Sequence, residues 1–444
     1  MNTRIALSLA GFLAAVALPA STVLPAKRPA GPVLLRGGEV HTVTGAVLPK
    51  TDVLLADGKI AQIGPKLTAP AGAEVVDVTG QRVYPGLIAA NTTLGLEEIG
   101  AIRASLDSSE IGAINPNVRA QAAFNPDSEM IPVARANGVL TVCSTPVAAN
   151  DGQPVPGLLA GTSSLMRLDG WTWEEMTVRA SVGLQLYWPS PVAAQRGSAP
   201  APGAMEEARK RYADQVKLIR QAFANARAYQ RAKDAAGGHP AETDLRWEAM
   251  LPALRGTQPV FVHADDIKQI AAVLDWAREE SGLKVVLVGG RDAWRAADRL
   301  KAANIPVIVD GSSQLPARRD DGYDAGYADA GKLHAAGVRF CISESTSESG
   351  GPTNLRNLPY EAAMAASFGL PADEALKAIT LYPAEILGVA TELGSIEVGK
   401  RATLIVTDGD PLEIPTQVKQ AYIDGARIDL RSRQTELYNK YRQR

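Results

Sequence analysis

Residues 83–96 read VYPGLIAANTTLGL: a break at Pro85-Gly86, an apolar run from Leu87 to Ala90, then Asn91, Thr92 and Thr93 where a strand surfaces. A run this short and apolar throughout fits a strand buried on both faces, as in a parallel sheet covered by helices. Seven more such runs follow: GVLTVCS (138–144), TSSLMRL (162–168), VGLQLYW (182–188), PVFVHAD (259–265), KVVLVGG (284–290), IPVIVDG (305–311) and VRFCISE (338–344). Helix-compatible stretches separate them, and strand–helix alternation yields a parallel sheet. Eight units in about 300 residues predict an α/β fold, a (β/α)8 TIM barrel over 82–390. The alternative is a doubly wound open sheet, but no glycine-rich dinucleotide loop follows the first strand.

The flanks differ in style. Residues 33–80 and 391–429 alternate with period two and break at Asp-Gly and Gly-Gly turns, so a small composite β-sandwich domain built from both chain ends is expected, followed by a C-terminal helix or tail at 430–444. The stretch WPSPVAAQRGSAPAPG (188–203) reads as a loop leading into a long helix, in which Met205, Ala208, Tyr212, Val216, Ile219, Phe223 and Ala226 recur at helical spacing. The residues between the fourth and fifth strands exceed what a crossover requires; they are read first as an enlarged outer helix and second as a lid.

With 444 residues, 46% of them apolar, the chain can build a large core. Lys and Arg (46) nearly balance Asp and Glu (48), so nothing points to nucleic acid or an anionic membrane surface, and small ligands or protein partners are favoured. Residues 1–20 read as a cleavable signal peptide: Arg4, an apolar run from Ile5 to Leu18, and small residues at the cleavage region. Export to a periplasmic or extracellular location is therefore expected, with no transmembrane span in the mature chain. Cys143 and Cys341 fall on the second and eighth strands with the first between them, about 9–10 Å apart at the usual strand spacing and too far to pair. Two buried free thiols are expected.

Chemistry in such barrels sits at the C-terminal strand ends. In chain order these carry Asn91 and Thr93, Ser144 and Thr145, Arg167, Tyr187 and Trp188, His263 with Asp265, Gly289-Gly290-Arg291, Asp310, and Ser343-Glu344-Ser345. The mouth is polar but poor in metal donors. Of the four histidines, His41 lies in the small β domain, His239 follows the long helix, His334 precedes the eighth strand, and His263 alone stands at a strand end facing the mouth. One imidazole among neutral hydroxyls does not hold zinc. An oxygen-rich site for a weak divalent metal near His263, Asp265 and Glu344, with Asp310, is the alternative. His263 itself reads first as a hydrogen-bonded structural residue and second as a base, and Asp265 and Asp266 read equally as helix caps. Trp171, Trp173 and Trp188 read as wall packing rather than a ligand pocket.

From Val33 to Asp429 the chain resembles the amidohydrolase superfamily, in its exported imidazolonepropionase-like branch. The carriers are GGEVHTVTGAVLPKTDVLLADGKIAQIGP, VYPGLIAANTTLGL, FVHADD, NLPYEAAMAASFGLPADEALKAITLYPAEILGV and GSIEVGKRATLIVTDGDPLE. The resemblance implies hydrolysis of C–N bonds in small cyclic amides or related compounds by a metal-bound hydroxide. It further implies a His-x-His at strand one, often a carboxylated lysine at strand four, a histidine each at strands five and six, and an aspartate at strand eight. At those positions this chain has Asn91 and Thr93, Gln185, His263, Gly289-Gly290, and Ser345 with Glu344 beside it. Two functions are therefore expected, ahead of a third, a purely structural export protein with no pocket. One is a pseudoenzyme without metal, acting as a ligand-binding barrel or as a subunit beside an intact relative. The other is a hydrolase with His263 as general base, Asp265 or Asp310 orienting it, and Asn91, Thr93, Arg291, Asp310 and Glu344 binding substrate.

Overall fold

The computed structural model describes residues 24–148, 156–191, 203–237, 242–344 and 351–444. The leader at 1–20, His239, Ser345 and most of the 188–203 loop lie outside these described residues.

The chain opens with β1 (Val33–His41), β2 (Val47–Ala56), β3 (Lys59–Gly64), β4 (Glu74–Asp77) and β5 (Arg82–Pro85). The barrel strands follow: β6 (Leu87–Thr92), β7 (Val139–Ser144), β8 (Leu159–Arg167), β9 (Thr177–Tyr187), β10 (Val260–Ala264), β11 (Val285–Gly289), β12 (Val307–Asp310) and β13 (Phe340–Ser343). The chain then returns through β14 (Leu404–Thr407), β15 (Val418–Ile423) and β16 (Ala426–Arg427) to complete the small domain, where β14 pairs antiparallel with β5. Two hairpins there turn on the Asp-Gly pairs seen in the sequence. Asp57-Gly58 and Asp424-Gly425 have φ of 51° and 75°, and 49° and 77°, both positive as a two-residue turn matched to strand twist requires. The face built from Val33, Leu35, Val53, Leu55, Leu404 and Val406 forms this domain's own core.

All eight expected strands form one sheet in chain order, from β6 to β13. The expectation of an all-parallel barrel fails at one strand. β8 runs antiparallel to both β7 and β9, whereas β6–β7 and every pair from β9 to β13 are parallel. The cause is connection length: only residues 168–176 join β8 to β9, enough for a hairpin and too few for a helical crossover. Arg167, expected at the mouth, is therefore at the opposite end of the barrel. There it forms an ion pair with Asp424 of the small domain, whose carboxylate also accepts from Arg401 Nε and Nη2 at 2.7 and 2.6 Å.

Among the described residues no backbone ladder joins β13 to β6. Instead the Ser343 hydroxyl accepts from Asn91 N–H (3.0 Å) and donates to Asn91 C=O (2.8 Å). One rung lower, Ile88 N–H and Ile342 N–H donate to the carbonyls of Ile379 and Ala378. A seam of hydroxyl and loop backbone thus closes the barrel and satisfies strand edges that burial would otherwise orphan.

Inside the barrel Ile88, Cys143, Leu165, Phe261, Val286, Ile308 and Cys341 pack with Leu387, Val389 and Leu393, which close the bottom. Both cysteines are buried and unpaired, as expected. The long helix Ala204–Ala235 packs on the outer wall through Ala208, Ile219, Phe223 and Ala226, while Met205 is exposed. Phe223 meets Trp276 edge-on at 5.2 Å, and Trp188 tilts against the same ring at 5.6 Å. Trp188 is therefore wall packing, and Trp171 lies on the surface.

Candidate functional site at the barrel mouth

β9 and β10 pair in parallel with Gln185 opposite Phe261 and Tyr187 opposite His263. That register stacks the Tyr187 and His263 rings, 3.9 Å between centroids and 11° between planes. It also brings Gln185 Oε1 to 2.8 Å from His263 Nε2. The Gln185 amide nitrogen donates to Ser163 Oγ at 3.0 Å and reaches Gly183 C=O at 3.4 Å. Because a carbonyl can only accept, this contact places the amide oxygen toward His263, which therefore carries its proton on Nε2. The His263 ring is half-buried, and the surrounding protein, with no neighbouring charge involved, pulls its pKa down to about 3. It is neutral at physiological pH and a weak base.

Asp265 does not orient this ring. Its carboxylate faces β11, where Oδ1 accepts from Arg291 N–H at 3.4 Å, and burial raises its pKa. Arg291 contributes that backbone group, and its side chain is exposed. Asp266 caps the helix Ile267–Glu279 in a capping box with Gln269 and pairs with Arg318 at 2.9 Å, so the cap reading holds for this residue.

On β6, Asn91 is 2% exposed, and its Nδ2 is buried without a hydrogen-bond partner among the described residues. Thr93 donates to Glu97 Oε2 at 3.2 Å, and Ser108 donates to Glu97 Oε1 at 2.6 Å. Glu97 follows Thr93 by four residues and went unread in the sequence because a charged residue in a loop carries no period. Across the mouth, Asp310 ends β12 opposite Ser343. Burial first, then the charges of Glu361 and Asp310, push the Glu344 carboxyl up to about 8, so it is largely protonated at neutral pH. Glu361 is a second residue the sequence reading missed; it accepts from Ser312 N–H at 2.6 Å, Ser312 Oγ at 2.8 Å and Ser313 N–H at 2.8 Å.

A metal site of the kind the resemblance implies does not fit these residues. Asn91 and Thr93 offer neutral oxygens in place of imidazoles, and Gln185 already spends its carboxamide on His263 and Ser163. At β11 the obstacle is backbone as well as side chain. Gly289 has φ 89°, and a Cβ there would lie 2.5 Å from Asp265 Oδ1, so a histidine at this position would strain the backbone and require the Asp265 carboxylate to shift. The oxygen-rich alternative is not assembled either: among the described residues no three His, Cys, Asp or Glu side chains are grouped to hold a metal.

The model of the amidohydrolase family matches residues 201–427. The chain belongs to that family. Amidohydrolase tasK of Hapsidospora irregularis is 25% identical over 407 residues, covering 84% of this chain but only 39% of tasK, so the chain spans well under half of that relative's length. Imidazolonepropionase of Sphingopyxis alaskensis is 26% identical over 402 residues, 82% of this chain and 87% of that enzyme. Among solved structures, an amidohydrolase from Thermotoga maritima MSB8 superposes with a TM-score of 0.76 at 28% identity, covering 90% of this chain and all of the other. The TIM barrel with its composite β domain is thus the amidohydrolase architecture. No helix among the described residues is long and apolar enough to cross a membrane.

Proposed function

We propose that this amidohydrolase-family barrel works without the family's metal centre, as a ligand-binding barrel or a partner subunit of an intact relative. The reading is carried by the Gln185–His263 hydrogen bond at 2.8 Å. In an enzyme of this family the strand-four and strand-five side chains are expected to converge on metal, whereas here they converge on each other. A His263 pKa of about 3 also weakens the alternative of a metal-free hydrolase with His263 as base, since a proton taken from substrate would be held poorly. The polar mouth, with protonated Glu344 as donor and Glu97 as acceptor, suits a small neutral ligand such as a cyclic amide. Export, followed by assembly with a relative that keeps the His-x-His, completes the proposal.

The test is metal analysis of the purified protein after exposure to zinc and manganese, with an intact imidazolonepropionase treated in parallel. The proposal expects no stoichiometric metal here and a full complement in the control. Stoichiometric metal lost on changing His263 to alanine would overturn it.

A further inference from the structure

A cleft of about 1020 Å³ opens on the face of the barrel opposite the mouth, at the N-terminal ends of β10 to β13. This is beyond the size of an ordinary packing defect and at the upper end of small-molecule sites. Its floor is apolar, with Val182, Val286 and Leu387. Its charge is one-sided: Arg179, Arg278, Lys284, Arg299 and Arg339 line it against Asp275 and Glu385 alone. Asp275 is taken up by Arg299 at 2.9 Å and Arg278 at 3.7 Å, and Arg179 reaches Glu392 at 3.3 Å. Lys284 and Arg339 make no ion pair among the described residues; the Arg339 guanidinium donates only to Asn304 Oδ1 at 3.1 Å.

We infer that this cleft binds a small organic anion with an apolar body: the body on Val182, Val286 and Leu387, the anionic end at Lys284 and Arg339. The site is independent of what happens at the mouth. It lies on the face that in such barrels serves stability, so its occupant is a ligand and not a substrate of the strand-end residues.

Two probes of matched shape test this on the purified chain. 8-Anilinonaphthalene-1-sulfonate carries the apolar body and the anion; N-phenyl-1-naphthylamine lacks only the anion. Fluorescence titration should give one saturable site for the sulfonate. Lys284→Glu with Arg339→Glu, both exposed side chains, should weaken the sulfonate about tenfold or more and leave the neutral probe within about twofold, as expected for a charge-assisted contact. If the charge reversal unfolds the chain, Lys284→Gln with Arg339→Gln replaces it with the same expected direction. Sulfonate binding that does not saturate, that survives the charge changes undiminished, or that falls instead with changes at the mouth would overturn the inference.

Discussion

Gln185 Oε1 stands 2.8 Å from His263 Nε2, across adjacent parallel strands and 78 residues apart in the chain. The contact joins the one histidine at the mouth among the described residues to a side chain that is wholly buried, and through it to Ser163 on the antiparallel strand. Replacing Gln185 with leucine keeps the volume but leaves the imidazole N–H and the Ser163 hydroxyl without this partner. The expected cost is about 1–3 kcal/mol, read as a lower denaturant midpoint with unchanged slope. Gln185→Glu should lose less stability at low pH than at neutral pH, because a carboxylate at this depth is penalised and a carboxylic acid is not.

Gly289 carries the second prediction. Gly289→Ala forces a side chain into positive φ and against Asp265 Oδ1, and should destabilise by about 1–3 kcal/mol in thermal or chemical unfolding. The double change Gly289→Ala with Asp265→Gly should recover the steric part and not the backbone part. A single variant as stable as the parent would show that this strand end tolerates a side chain.

These residues also mark where sequence reading succeeds. Eight apolar runs located eight barrel strands because a strand buried on both faces has a pattern that depends on its own residues alone. The direction of β8 was missed because that pattern is the same in either direction; the signal lay in the short link at 168–176, and Arg167 was misplaced with it. At the mouth, His263 was legible as a residue at a strand end, and Gln185 only through the family resemblance, at the position where a lysine is expected. Their mutual bond was not, since it depends on the register of β9 against β10. Glu97 lies in a loop, where spacing carries no period, and Glu361, buried on the helix Leu358–Ser367, holds the loop at Ser312 and Ser313 through a pairing that no local pattern records.

The two thiols give a third prediction. Burial raises the Cys143 thiol to about 11 and the Cys341 thiol further, and neither is accessible. A thiol-reactive disulfide reagent at pH 8 should label neither in the native protein and both after denaturation. Recovery of fewer than two thiols from freshly denatured protein would reveal a disulfide and contradict the strand order β7–β6–β13 at the seam.

Asp329 sits on the helix Ala325–Ala336 with 4% exposure, and its Oδ1 makes no hydrogen bond among the described residues. Lys332 Nζ is 3.7 Å away and also lies over the Trp294 ring at 4.1 Å, so it compensates the carboxylate only in part. Burial is the main cause that lifts the pKa of Asp329 from 3.8 to about 7, with Asp292 adding to the rise and Lys332 and Arg295 opposing it. The folded-state pKa is the higher one, so the stabilising contribution is complete below the unfolded value and is lost as pH rises through the folded value. Between these two values unfolding releases a proton, and stability falls with rising pH by an amount on the order of a few kcal/mol. Asp329→Asn removes the titrating group while keeping the shape. The variant should melt above the parent at pH 8, and this advantage should shrink steadily toward pH 4. An advantage that persisted unchanged at pH 4 would mean that packing, and not the buried charge, sets the difference.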